Sequence, residues 1–218
     1  MVKNATQEFA SSFLENLLKG NRPKCSSIAK HYLAVNPSFM DLYEEILKKS
    51  LYSVGLLWET NKISVATEHL ATAITESILN EYFEQIILKE RLNKKVVVTC
   101  VENEQHQVGI KMVADVFEMN GWESFFLGTG IPTNELIRYI HQVKPDILAL
   151  SLSIYFNYSN LIKMLNALKT EFPNLQLIVG GQAFSRAEKS SLHGLENVVL
   201  LSDLYLLDKY IKVLNNNY

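Results

Sequence analysis

Apolar positions in the first part of the chain recur every three or four residues. Phe9, Phe13, Leu14, Leu17 and Leu18 fall on one face of a helix. Gly20-Asn21-Arg22-Pro23 breaks that run, and residues 25–33 predict a second, short helix that stops near Asn36-Pro37. Ser38 is a capping residue ahead of a third helical pattern through Leu42, Ile46, Leu47, Leu51 and Val54. Thr60-Asn61-Lys62 ends it, and Ser64 caps a fourth through Leu70, Ile74, Ile78, Leu79 and Phe83. Amphipathic helices on short connections describe a four-helix bundle.

The period changes after Asn93-Lys94, so the expected domains are residues 1–92 and 93–218. Val96-Val97-Val98 is a short continuous apolar run, the mark of a strand covered on both faces. Similar runs follow at 124–127, 147–150, 175–179 and 198–201, with helical stretches at 108–119, 134–143 and 160–170 between them. Strand and helix in alternation predict a doubly wound parallel sheet, so the fold class is α/β with a helical bundle ahead of it. Such sheets hold ligands outside the carboxyl ends of their strands. The informative residues should therefore follow Cys100, Leu127, Leu150 and Val179.

Composition narrows the field without choosing a chemistry. The chain has 218 residues, 48% hydrophobic and 20% charged, with a formal net charge of -2. That balance, with no run of Lys and Arg, gives no footprint for nucleic acid or an anionic membrane. The amphipathic N-terminus lacks the apolar core of a signal peptide, and no stretch is apolar for long enough to span a bilayer. Cys25 and Cys100 are far apart and in no metal-ligand spacing. Free thiols suit a reducing compartment, so a cytoplasmic location is expected.

The strand ends carry Glu104-Gln105-His106-Gln107-Val108-Gly109, then Gly128-Thr129-Gly130, then Ser151-Leu152-Ser153, then Gly180-Gly181. Taken singly, a loop histidine or a glycine pair is ordinary. Taken in order, the set resembles the cobalamin-binding domains of methionine synthase, corrinoid methyltransferases and cobalamin-dependent mutases. Their signature runs Asp-x-His-x-x-Gly, Ser-x-Leu, Gly-Gly. This chain has Glu104-x-His106-x-x-Gly109, Ser151-x-Ser153 and Gly180-Gly181. The resemblance implies a Rossmann-like or flavodoxin-like domain that binds cobalamin with His106 as the lower ligand to cobalt. It gives Glu104 the part of the carboxylate behind the histidine. The cofactor's displaced dimethylbenzimidazole tail would enter a channel where Gly109, Gly180 and Gly181 leave room and Ser151 donates to the base. Ser153 stands where the family has Leu, which makes one wall of that channel more polar.

Trp58, followed after an interval by Glu68-His69, resembles the upper-face signature of the light-sensing cobalamin proteins of the CarH type. That resemblance implies adenosylcobalamin, with Trp58 packed on the adenosyl group and Glu68 and His69 hydrogen-bonding around it. It further implies that light breaks the cobalt–carbon bond and moves the bundle. Glu68 and His69, adjacent on a helix, are expected to diverge by about a quarter turn and bracket a ribose. Glu59 stands where such regulators can have a second histidine. The chain begins directly with the bundle and is slightly acidic, so direct DNA binding is not expected. The partner is expected to be another copy or a separate signalling protein. Some relatives of this group also hold a bilin, for which Tyr32, Phe39, Tyr43, Tyr52 and Phe83 would have to form a pocket rather than a core. The expected function is a non-catalytic, stand-alone cobalamin photoreceptor or sensor. The alternatives are a corrinoid carrier for a methyltransferase system and a cobalamin storage or trafficking protein.

Overall fold

The computed structural model describes residues 2–88, 90–186 and 197–216. The chain forms two compact units, Met1–Ile86 and Ile87–Tyr218.

The first unit is helical. Its elements are α1 (Val2–Leu18), α2 (Arg22–Val35), α3 (Phe39–Asp41), a π-helical segment (Leu42–Lys48), α4 (Lys49–Glu59) and α5 (Val65–Ile86). The predicted caps are in place. Ser38 Oγ accepts from Asp41 N at 3.1 Å, and Ser64 Oγ accepts from Thr67 N at 3.1 Å. Between α4 and α5 the chain closes a Schellman turn: Lys62 N donates to Leu57 O at 2.8 Å and Asn61 N to Trp58 O at 2.9 Å. Asn61 takes the left-handed conformation that this turn requires, with φ 55°. The core gathers Phe13, Leu17, Ile28, Leu42, Ile46, Leu47, Ile74, Ile78 and Leu79. Leu70 and Phe83, periodic in the sequence with α5's core residues, are exposed instead. The third predicted helix differs in kind. Its middle seven residues wind as a π-helix that buries Leu42, Tyr43, Glu44, Ile46 and Leu47. Tyr32 and Tyr43 are core side chains, whereas Tyr52 and Phe83 reach the surface.

The second unit alternates strand and helix. Its elements are β1 (Lys95–Cys100), α6 (Val108–Met119), β2 (Glu123–Gly128), α7 (Thr133–Val143), β3 (Ile147–Ser151), α8 (Tyr158–Glu171), β4 (Gln176–Gly180), α9 (Ala183–Arg186), β5 (Val198–Leu200) and α10 (Leu204–Asn216). The strands are all parallel, in the order β2-β1-β3-β4-β5. This is the flavodoxin-like order, and its direction reverses between β1 and β3. Val97, Leu148, Leu150, Leu177 and Val179 of the sheet share one core with Leu136 and Ile140 of α7 and Leu161, Met164, Leu165 and Leu168 of α8. At the sheet edge β2 is covered less completely than its apolar run suggests, and Phe126 is exposed. The sequence reading has no counterpart for α10. It is anchored by buried Leu204, Leu207 and Ile211, and Trp122 Nε1 donates to its Asn215 Oδ1 at 2.9 Å. Among the described residues no helix is long and apolar enough to cross a membrane.

Candidate functional site

The strand order reverses between β1 and β3, and sheets of this kind hold their ligands outside the carboxyl ends of the strands at that point. The register places Cys100, Ser151 and Gly180 side by side as the last residues of their ladders. Beyond that row the β1–α6 loop carries Glu104 and His106, and the β3–α8 loop carries Ser153.

Glu104 is fully buried, a position that an ionised carboxylate holds only when its oxygens are well supplied with donors. They are. Oε1 accepts from Gln105 N at 2.9 Å, from His106 N at 3.1 Å and from His106 Nδ1 at 2.5 Å. Oε2 accepts from Ser153 N at 3.0 Å and Ile154 N at 2.9 Å. Burial by itself would raise the Glu104 pKa. The His106 ring and the backbone N–H groups of Ile154 and His106 outweigh it and bring the carboxyl down to about 2. An ionised carboxylate on Nδ1 requires a proton there, so a neutral His106 ring carries its lone pair on Nε2. The His106 side chain is 44% exposed. A carboxylate behind the histidine and an outward-facing ring make the usual arrangement of an imidazole metal ligand. Among the described residues no group of three or more His, Cys, Asp or Glu could hold a bare ion. A lone imidazole of this kind suits a metal that brings its other ligands with it, as cobalt in a corrin ring does. Cys100 does not compete for it. Burial, and then the Glu104 charge, push its thiol up to about 12, so it stays protonated.

The glycines divide into two kinds. A Cβ on Gly109, in the first turn of α6, would meet nothing within 4 Å. A Cβ on Gly181 would lie 2.2 Å from Leu152 O, and Gly181 has φ +116°. A Cβ on Gly180 would lie 2.8 Å from Leu201 O. The pair thus lets neighbouring strand ends approach: Leu152 N donates to Gly180 O at 2.9 Å and Ala183 N to Leu152 O at 3.2 Å. Ser151 is buried, and Ser153 is engaged through its backbone.

Three features of these loops have no counterpart in the sequence reading. Asn157 is buried and reaches Asn103 O at 3.4 Å, which spans the two loops a second time. Glu102 Oε2 accepts from Thr133 Oγ1 at 2.6 Å, tying the start of α7 to the end of β1. Ile154, Tyr155 and Phe156 project from the β3–α8 loop, with Phe156 90% exposed. An apolar triplet in a loop was the signal available for the last of these.

In the helical unit, Trp58 closes α4 and Glu68 and His69 open α5, so the Schellman turn draws the three toward one end of the bundle. Leu56, Trp58, Val65 and Leu70 are all exposed there. Glu68 and His69 do not diverge as expected. His69 Nδ1 lies 2.6 Å from Glu68 Oε2, and Thr72 Oγ1 donates to Glu68 Oε1 at 3.0 Å. Adjacent side chains on a helix both lean toward its N-terminus, which lets these two meet.

Comparison with known proteins identifies the family and the fold. One B12 binding domain model matches residues 94–200, and a second matches residues 10–82. The chain is similar to the HTH-type transcriptional repressor CarH of Myxococcus xanthus, 26% identical over 164 residues, which is 75% of this chain and 54% of the relative. It is also similar to the HTH-type transcriptional repressor CarA of the same organism, 27% identical over 90 residues, 41% of this chain and 31% of the relative. The match thus spans about half the length of CarH and about a third of the length of CarA. Among solved structures, the Methanosarcina barkeri monomethylamine corrinoid protein superposes with a TM-score of 0.81 at 14% identity, over 95% of this chain and 99% of that one. The methanol:cobalamin methyltransferase complex MtaBC of the same organism gives 0.50 at 14% identity, over 96% and 79%. The chain belongs to the B12-binding proteins, with a helical B12 binding domain ahead of a parallel-sheet one.

Proposed function

We propose that this protein holds adenosylcobalamin with His106 as the lower ligand to cobalt and senses the state of the upper ligand, passing it to a second copy or a separate partner. The observation that carries the lower half is the buried Glu104 carboxylate on His106 Nδ1, which fixes the ring and leaves Nε2 as the coordinating nitrogen. When bound, cobalamin supplies a cobalt–carbon bond that light can break. His106 contributes a neutral nitrogen donor, and Glu104 raises its basicity. Gly109 leaves the first turn of α6 open. Ser151, at the end of β3, offers a hydroxyl to a displaced base.

The sensor reading rests on the upper face. Trp58 presents a half-exposed aromatic surface at the end of the bundle, with the Glu68–His69–Thr72 cluster at the start of the next helix. Such a set suits an adenosyl group, whose base is flat and whose ribose is polar. The similarity to CarH supports the same reading.

A corrinoid carrier is the second reading. The whole-length fold similarity to the monomethylamine corrinoid protein favours it. A carrier must present its upper ligand to an enzyme, whereas a sensor keeps it covered.

The test loads the protein with adenosylcobalamin in the dark and then illuminates it. A visible spectrum that His106→Ala alters, and a change in hydrodynamic size on photolysis that Trp58→Ala abolishes, are the expected results. Complete photolysis with no change in size, shape or bundle mobility rejects the sensor and leaves the carrier. An unaltered spectrum in His106→Ala rejects the lower-ligand assignment for both.

A further inference from the structure

Within the first unit, α2 and α5 are neighbours. A Cβ on Gly20, in the turn before α2, would lie 2.7 Å from Leu70 of α5, and Ser26 Oγ donates to Glu81 Oε2 at 2.5 Å. The contact moves forward along both helices, so α2 and α5 run side by side in the same direction. Together they make one outer face of the bundle. Charge is sorted between them. The α2 helix carries Arg22, Lys24 and Lys30 and no acidic residue. The α5 helix carries Glu68, Glu76, Glu81 and Glu84 and no Lys or Arg.

The spacing of these charges matches. Arg22 and Lys30 lie four residues either side of Ser26, and Glu76 and Glu84 lie four residues either side of Asn80, the neighbour of the Glu81 that Ser26 bonds. At 1.5 Å per residue each pair spans about 12 Å, and both are centred at one level of the bundle. Arg22, Lys30 and Glu84 are exposed, and none of the three forms an ion pair among the described residues. Nearby, α5 presents Ala73 and Ser77, small side chains that let a facing helix come close. We infer that this face pairs with the same face of a second copy, about a two-fold axis that passes near Ser26 and Asn80. A surface that meets itself about such an axis must exchange unlike groups. Here the rotation lays α2 antiparallel to α5 of the second copy. Arg22 then faces Glu84 of that copy and Lys30 faces its Glu76, and each pair occurs twice. A basic helix alone would suit any polyanion, whereas a basic helix beside an acidic one at matched spacing suits a second copy. Single exposed ion pairs are weak, so the association is one that salt dissolves. The inference concerns the helical unit and does not rest on the reading of the cofactor site.

Sedimentation equilibrium on the full chain, without cobalamin, tests it. The wild-type protein should form a dimer. Its dissociation constant should rise about tenfold or more between about 0.1 M and about 1 M salt, as the screening length falls from about 10 Å to about 3 Å. Two charge reversals carry the decisive arm, and circular dichroism checks that each variant folds. Arg22→Glu sets like charges against Glu84 twice per dimer, and Glu84→Arg sets like charges against Arg22 twice. Each variant alone should be monomeric at concentrations where the wild type is dimeric. Mixed one to one, the two variants should form a heterodimer, because both cross-pairs are then opposite in sign. The double variant should dimerise with itself and not with the wild type. A wild-type protein that stays monomeric at low salt leaves the basic helix to some other acidic partner and rejects the second copy. A dimer indifferent to both reversals, or reversals that break the dimer with no rescue on mixing, rejects this face as its interface.

Discussion

At the scale of single residues, the glycines of the signature separate chain from cofactor. The motif alone suggested that Gly109, Gly180 and Gly181 all make room for the same tail. The structure gives them different surroundings. Gly181→Ala must force its Cβ against the Leu152 backbone at a positive φ, and both effects act on the fold itself. A loss of roughly 2–4 kcal/mol in urea unfolding is expected, with or without cobalamin. Gly109→Ala sits in open space inside a helix, so it should stabilise the apoprotein by about 0.5–1 kcal/mol. A bulkier Gly109→Leu should fold equally well and bind cobalamin poorly. Equal loss of stability at both positions would show that Gly109 is also a structural glycine. For Glu104→Ala, a tenfold to hundredfold loss of cobalamin affinity by spectroscopic titration is expected. His106, Glu104 and Ser151 stood out in the sequence as candidates because chemistry restricts which side chains can ligate a metal or donate to a base, and the structure sets the Glu104 carboxylate against the His106 ring. The N–H groups of Ser153 and Ile154 were not legible, since every residue but proline carries one and only the fold aims it.

Elements were legible where a side chain states the geometry and obscure where the backbone alone does. Ser38 and Ser64 cap helices as their hydroxyls predict. Thr60-Asn61-Lys62 marked a break, and the break is a Schellman turn that needs a left-handed residue at Asn61. Asn61→Gly should therefore leave the helical unit as stable or slightly more so. Asn61→Ala should cost about 1 kcal/mol, read from the denaturation midpoint of the helical signal. Equal midpoints would mean that the turn contributes nothing to holding α4 against α5. The π-helical segment over Leu42–Lys48 left no such mark. Apolar spacing there fits a helix of either pitch, and the wider ring is a matter of backbone hydrogen bonds. The buried run of β2 misled for a different reason. Strand order sets coverage, and the order puts β2 at an edge where Phe126 meets solvent. The α10 helix carries a readable period in Leu204, Leu207 and Ile211, but it follows the last strand and bears none of the signature residues.

At the scale of the whole molecule, the two proposed functions differ in which unit feels the cofactor. A ligand present at a hundred times its dissociation constant stabilises what it binds by about 2.7 kcal/mol, provided that it binds only the folded form. His106 and Glu104 belong to the second unit, so any cobalamin held through them should slow amide exchange there, whatever its upper ligand. Trp58, Glu68 and His69 belong to the first unit. If they hold an adenosyl group, adenosylcobalamin should also slow exchange across α4 and α5, and methylcobalamin should not, because a methyl group offers nothing for Glu68 and His69 to bond and too little surface to cover Trp58. Illumination should then remove the protection from the helical unit and leave it on the parallel sheet. Trp58→Ala should bind adenosylcobalamin with its second-unit protection unchanged and its first-unit protection gone. A carrier predicts no such ranking, with the helical unit indifferent to the upper ligand so that an enzyme can reach it. Exchange that is slowed only in the second unit, equally by the adenosyl and methyl forms and equally in light and dark, would reject the sensor and retain the corrinoid carrier.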